Sequence, residues 1–157
     1  ASALAEIEDK KNYYKALKSS NIAILDSGFF CILVRLFKRY SIIKLSGFLF
    51  LRRFLMNLEK NKKIFLINPS FKEDKVNSKF LYSMNITNFK SYVSPNYKKI
   101  EDKKLIKKIK HFKPHYIMIN IGGGVQEILG IYIRENIKFK SSIMCTGAAI
   151  AFLTGEL

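Results

Sequence analysis

The residues best placed to do chemistry are a run of three glycines followed by two polar side chains, Gly122-Gly123-Gly124-Val125-Gln126-Glu127, directly after an apolar segment. Glycines in such a turn let backbone N–H groups come close to a ligand, and the N-terminus of a following helix adds partial positive charge suited to phosphate. Gln126 and Glu127, in the first helical turn, can hydrogen-bond a base, a ribose or a sugar hydroxyl. The spacing is neither GxGxxG nor GxxxxGKS, which gives little support to a dinucleotide-binding or Walker-type reading. A flexible turn in which Glu127 complements the helix dipole accounts for the same residues.

Asp26 is the second candidate. It ends an apolar run, Asn21-Ile22-Ala23-Ile24-Leu25, and precedes Ser27-Gly28. Partial burial there would raise the carboxyl pKa and suit it to general-base work. An N-cap for the helix that follows is the competing role, and one carboxylate can do both. Metal chemistry finds no footing. His111 and His115 are separated by the helix-breaking Pro114, and neither has a Cys or acidic partner at ligand spacing. No GxSxG elbow is present for nucleophilic hydrolysis.

The elements that would hold these residues alternate. Helical spacing runs from Leu4 to Leu17, and Asn21–Leu25 reads as a short buried strand. Phe30–Phe37 reads as a largely buried helix, Ile42–Leu45 as a second strand, and Gly47 opens a helix with Phe48, Leu51, Leu55 and Leu58 on one face. Further strands are expected at Ile64–Ile67, Phe89–Val93, Tyr116–Ile121 and Ser142–Cys145. Helices are expected at Lys75–Met84, Ile100–Phe112, Val125–Glu135 and Ala148–Leu153. Asn68-Pro69 stops the third strand, so Asn68-Pro69-Ser70 is another strand-end loop. This order predicts βαβ units: one α/β domain with a Rossmann-like, mostly parallel sheet and helices on both faces. Ligands of such sheets bind beyond the carboxyl ends of the strands, the edge that collects Asp26, Asn68 and Gly122.

The 157 residues are 48% apolar and carry a net charge of +16, enough for one sizeable core under a surface that attracts polyanions or acidic lipid headgroups. A drift toward Lys, Ile, Asn and Phe codons makes proteins basic without any partner. The lysines between Lys98 and Lys113 are in the simplest case the solvated face of an amphipathic helix, with Leu105, Ile106 and Ile109 inward. A membrane-facing or phosphate-facing patch is the functional alternative. No RRM signature or helix-turn-helix pattern supports nucleic-acid binding. Cys31 and Cys145 form no disulfide framework or metal knuckle, so a reducing cytoplasm is expected. The apolar run Phe29–Val34 is far short of a membrane span.

Taken in order, these segments resemble the WecG/TagA/CpsF glycosyltransferases, glycosyltransferase family 26. The family's helix, strand with an Asp-Gly-type end and apolar helix with an arginine are matched by Ser2–Lys18, Ile22–Gly28 and Phe29–Arg35. Lys44-Leu45-Ser46-Gly47 matches its Ser/Thr-Gly step. Lys113 through Glu127 matches its segment ending in a Gly-rich loop and Gln-Glu. Cys145-Thr146-Gly147-Ala148-Ala149 and Phe152-Leu153-Thr154-Gly155 match its last strand and turn. Two departures are Ser27, which separates Asp26 from Gly28, and Val125 in place of the usual Pro.

The resemblance implies an inverting, metal-independent transferase without a cofactor. Such an enzyme moves an N-acetylhexosamine-type sugar, N-acetylmannosamine-like, from a UDP donor to a polyprenyl-diphosphate-linked sugar in cell-surface polysaccharide synthesis. Carried over by position, Asp26 is the general base. Gly28, Gly47, Gly122, Gly123, Gly124, Gln126, Glu127, Gly147 and Ala148 are the substrate-binding positions. The implied setting is cytoplasmic and peripheral at the inner face of the membrane, with a homo-oligomer allowed. Residues 1–157 are expected to form the transferase domain without the family's N-terminal start and basic C-terminal appendage. Two other readings stay open: a nucleotide-sugar-binding domain without transferase activity, and a basic α/β module that binds nucleic acid.

Overall fold

The computed structural model describes residues 11–24, 26–38 and 44–155. Three helices come first, α1 (Lys11–Lys18), α2 (Gly28–Lys38) and α3 (Gly47–Met56). A strict alternation follows: β1 (Ile64–Asn68), α4 (Phe71–Ser83), β2 (Phe89–Val93), α5 (Lys103–Phe112), β3 (Tyr116–Ile119), α6 (Val125–Asn136), β4 (Ser142–Cys145) and α7 (Ala149–Thr154). The described strands form a four-stranded sheet in the order β2-β1-β3-β4, with every neighbouring pair parallel. Register places Ile64 beside Phe89 and Tyr116, and Ile67 beside Tyr92 and Ile119.

Alternation along β1 sends Ile64 and Leu66 to one face, where Leu51 and Leu55 of α3, Leu81 of α4 and Ile150 of α7 cover them. Phe65 and Ile67 go to the other face, under Leu105, Ile106 and Ile109 of α5 and Leu129 and Ile133 of α6. All five residues of β1 are buried. That is why it reads as one apolar run rather than an alternating one. Each fully buried Leu or Ile in these layers contributes roughly 1.5–3 kcal/mol, so the double covering dominates the stability of the sheet. The expected α/β fold with helices on both faces is the fold observed.

Two helices deserve placement. The ring of Phe54, late in α3, packs 4.8 Å from that of Tyr116 at the start of β3. The C-terminal end of α3 therefore lies at the edge where strands begin, and Gly47 lies toward the edge where they end. Helix α1 packs along α6, with Tyr13 and Ala16 buried and Arg134 Nη1 donating to the Ser19 carbonyl at 2.8 Å. Among the described residues no helix is long and apolar enough to cross a membrane.

Three expectations are corrected, and a fourth lies partly outside the described residues. Residues 21–24 form no strand, and Ile22 is 81% exposed. β-branched residues report fitness for a pleated, half-buried surface, and among the described residues this stretch pairs with no strand. Of the strand expected at Ile42–Leu45, Ile42 and Ile43 lie outside the described residues, while Lys44 and Leu45 are irregular, as Leu25 and residues 4–10 also lie outside them. Helix α2 is present but not largely buried: Ile32, Leu36 and Phe37 are exposed. Helix α4 begins at Phe71 rather than Lys75 because Ser70 caps it. Ser70 Oγ accepts from the Lys72 and Glu73 amides, and the Ser70 hydroxyl donates to the Glu73 carboxylate. The Ser-x-x-Glu spacing was a readable start signal.

Candidate functional site

The order β2-β1-β3-β4 reverses direction between β1 and β3, since the chain steps from β1 to one side and later returns to the other. A switch point of this kind opens a crevice beyond the strand ends. Its floor is polar. Asn68 closes β1 and is fully buried, and Asn120 follows β3 at 6% exposure. Asn68 Oδ1 accepts from Asn120 Nδ2 at 2.7 Å and from Asn77 Nδ2 of α4 at 2.8 Å. Its own Nδ2 donates to Asp74 Oδ1 at 2.7 Å, and Asp74 Oδ2 accepts from the Ser91 hydroxyl of β2. On the far side the Thr146 hydroxyl lies 2.6 Å from Asn120 Oδ1 and 3.0 Å from the Ile119 carbonyl. With one proton it can serve only one of them at a time. Side chains on or just after all four strands are thus joined, and among the described residues no buried side-chain polar atom lacks a partner.

The rim continues from this floor. Gln126 is buried, and its Oε1 accepts from the Gly147 amide at 2.9 Å. That contact ties the loop after β3 to the turn after β4. Gly147 has φ +51 and lies close to the Gln126 amide group, which a Cβ would meet at 3.4 Å. Gln126 Nε2 in turn donates to Glu127 Oε1 at 3.0 Å. Glu127 Oε2 accepts from the Gly124 amide at 2.6 Å. Gly124 takes φ +88, a conformation that favours glycine, and opens α6. Gly122 and Gly123 are exposed, and nothing lies within 4 Å of where a Cβ would stand on Gly122 or Gly124. The glycines leave room for a ligand, but one amide expected to face a phosphate is held by Glu127 in this state. Ala148 is exposed at the N-cap of α7.

Asp26 reaches the same edge by another route. Its Oδ2 accepts from the Gly47 amide at 3.1 Å, which places a carboxylate on the N-terminus of α3. Gly47 permits this approach, since a Cβ there would meet Asp26 Oδ2 at 3.3 Å. Asp26 thus reaches the N-terminus of α3, the second helix after it. Asp26 is exposed rather than partly buried. Gly28 opens α2, and a Cβ on it would meet the Lys44 side chain at 3.6 Å. Helix α3 packs against α7, so the Asp26–Gly47 pair and the Gly147 turn are brought to one edge through these two helices.

The family model described as "Glycosyl transferase WecG/TagA/CpsF family" matches residues 1–157. The chain belongs to this family. Membership supports a glycosyltransferase role in cell-surface polysaccharide synthesis. Comparison with curated proteins returns no significant match.

For this transferase family member the strand-end edge gathers every residue singled out from the sequence, in two groups. Gly122–Glu127 and Gly147–Ala148 are joined by the Gln126–Gly147 hydrogen bond, and Asp26 and Gly47 by another, with Gly28 two residues after Asp26. Sequence reasoning missed Asn77, Asp74, Ser91, Asn120 and Thr146. A readable signal existed for Asn120: it follows a wholly apolar run, as Asn68 does, and a polar residue at the end of such a run faces the switch-point crevice. Two shallow depressions of about 340 and 350 Å³ lie elsewhere, one between α5 and α6 and one by Tyr116 and Ser142 at the opposite edge. Neither carries chemistry that matches the strand-end groups.

Three groups have pKa values raised by their surroundings. Cys145 is exposed as a residue, yet its Sγ is tucked 3.5 Å from the Gln126 carbonyl. Burial of the sulfur, then the Glu127 charge, push the thiol up to about 12, so it is no nucleophile at neutral pH. Tyr92 and Tyr97 both donate to Asp102 Oδ2 at 2.8 Å. Burial and the hydrogen bond to Asp102 raise Tyr92 to about 12 and Tyr97 further. Asp102 also caps α5 through the Leu105 amide, which makes this cluster a structural clasp. No group of three or more His, Cys, Asp and Glu side chains that could hold a metal ion occurs among the described residues. His115 Nδ1 accepts from the Lys63 amide at 3.0 Å.

Proposed function

We propose that the chain transfers an N-acetylhexosamine-type sugar from a UDP donor to a polyprenyl-diphosphate-linked acceptor, with inversion at the anomeric carbon and without a metal. The observation that carries this reading is the family match along the whole chain, and the strand-end geometry agrees with it. The Gly122–Gly124 loop, Gln126 and Glu127 hold the nucleotide and sugar. Gly147 and Ala148 line the same place. Asp26 takes the proton from the acceptor hydroxyl as its oxygen bonds to the anomeric carbon. The bond from that carbon to the diphosphate breaks at the same time, and UDP leaves with the electron pair. Amides and cations can stabilise the departing diphosphate in place of a metal. The setting is the cytoplasmic face of a membrane.

Ligand binding and transfer are tested separately. UDP at one hundred times its Kd should stabilise the fold by about 2.7 kcal/mol. No shift of the melting temperature with UDP or UDP-N-acetylhexosamine would remove the donor reading. Protection without transfer to a lipid-diphosphate-sugar would leave a nucleotide-sugar-binding domain.

A further inference from the structure

Helix α2 is out of keeping with the rest of the fold. It is an eleven-residue helix, Gly-Phe-Phe-Cys-Ile-Leu-Val-Arg-Leu-Phe-Lys, whose Cys31, Leu33 and Val34 are half-buried while an opposite apolar stripe stands in the open. Ile32 is 58% exposed, Leu36 69% and Phe37 79%. Ile32 and Leu36, one turn apart, share a stripe, and Arg35 and Lys38 stand exposed beside it. The charge pattern is equally one-sided. From Ser27 to Leu58 the chain carries Arg35, Lys38, Arg39, Lys44, Arg52 and Arg53 and no acidic residue at all.

We infer that α2 is an interfacial helix that lays its apolar residues into an anionic lipid surface. Exposed aliphatic and aromatic side chains combined with cations, and without anions, fit the boundary between acyl chains and acidic headgroups. A second copy of the chain fits poorly. Pairing this face with itself sets like charges together, and the molecule as a whole stands at +16. Nucleic acid fits poorly too, since a phosphate backbone leaves Ile32 and Leu36 in water. The consequence for the site follows from chain distance. Asp26 lies two residues before α2, and Gly28 sits against Lys44. An α2 lying in the interface holds Asp26 at headgroup level, where the acceptor diphosphate of a lipid-linked sugar resides. That consequence rests on the proposed function, whereas the lipid contact itself does not.

The test is co-sedimentation of the 157-residue chain with vesicles of phosphatidylcholine alone and of equal parts phosphatidylcholine and phosphatidylglycerol, at low and high salt. Binding is expected to the anionic vesicles, weakening at least about tenfold at high salt as the surface potential is screened. Leu36→Asp with Phe37→Asp should abolish it. Arg35→Gln with Lys38→Gln should weaken it about thirtyfold, at roughly a factor of five per cation. Both pairs are exposed, so the melting temperature should not move, and the Gln pair keeps the test open if the Asp pair misfolds. Equal binding to neutral vesicles, no binding at low salt, or variants that bind like the parent would overturn the inference. So would a parent dimer that only Leu36→Asp with Phe37→Asp dissociates. UDP protection, measured without vesicles, reads the donor site independently, so failure of one reading is distinguishable from failure of the other.

Discussion

Replacement of Asn68 by alanine should be among the most damaging polar substitutions in this protein. The side chain is fully buried and makes three bonds at 2.7–2.8 Å, two accepted at Oδ1 and one donated from Nδ2. Alanine removes all three and leaves two buried amide groups, on Asn77 and Asn120, each short of a partner. An orphaned buried donor costs about 1–3 kcal/mol, so the two together cost roughly 2–6 kcal/mol. For a domain of this size each kcal/mol lowers Tm by about 2–4 °C, which predicts a loss of at least about 4 °C. Asn120→Ala is the internal control. It leaves Asn68 Oδ1 with Asn77, and the Thr146 hydroxyl can turn to the Ile119 carbonyl already 3.0 Å away. No buried donor is stranded, and the cost should be about 1 kcal/mol. Urea unfolding of both variants, analysed at equal m-value, reads the difference. If Asn68→Ala costs no more than Asn120→Ala, the network is not the keystone of the strand ends.

Asp26→Asn should lower transfer by about 10²–10⁴, the usual weight of a general base, while unaltered turnover removes Asp26 from that role. Gln126→Ala should reduce protection by UDP yet cost about 1 kcal/mol or less in stability, because the Gly147 amide also bonds the Ile119 carbonyl at 3.1 Å; unchanged protection would place the donor elsewhere. Gly124→Ala forces φ +88 on a residue with a Cβ and should cost about 1–2 kcal/mol without any clash, measured by thermal melting. For Tyr92 and Tyr97 the folded-state pKa lies above the free value of 10.0. The stability they contribute is therefore fully present below pH 10.0 and is lost as pH rises toward 12. Melts across that window should show the decline in the parent and a flatter profile in Tyr92→Phe with Tyr97→Phe.

The four strands of the sheet and the helices between them were legible because burial on both faces leaves uninterrupted apolar runs such as Ile64–Ile67 and Tyr116–Ile119, separated at βαβ spacing. The same signal misled at Asn21–Leu25: apolar and β-branched content reports that a segment could be a strand, not that a neighbour is there to pair with it. Helix α2 was misjudged for a related reason. An all-apolar helix reads as buried, and only tertiary contact, or its lack, tells a core helix from one left at the surface. In the site, Gly122–Glu127 was legible as a loop because glycine runs after strands are rare. The partner that immobilises it was not. Gln126 reaches Gly147 across twenty-one residues, and Asn68 reaches Asn120 across fifty-two. Pairings at such separations are set by strand order, which local pattern does not encode.

The two halves of the edge are built to different standards, and this bears on how the transferase divides its work. The side proposed to hold the donor rests on buried side-chain amides, and among the described residues no buried side-chain polar atom lacks a partner, so that floor is firmly held. A diphosphate that needs amides in fixed positions is served by such preorganisation. It also meets a competitor there, since Glu127 already occupies the Gly124 amide and must keep, share or yield that bond when an anion arrives. The side proposed to meet the acceptor is held by far less. Among the described residues Asp26 makes one exposed bond, to a helix N-terminus, worth about 0.3–1 kcal/mol, and the helix beyond it leaves Ile32, Leu36 and Phe37 exposed. A carboxylate held so lightly can move to meet a hydroxyl carried on a bulky lipid, and its loss leaves the fold standing. Substitution of Asn68 should therefore lower stability and donor affinity together and Gln126→Ala should lower donor affinity at little cost in stability, whereas substitutions at Asp26 should cut transfer and leave both in place.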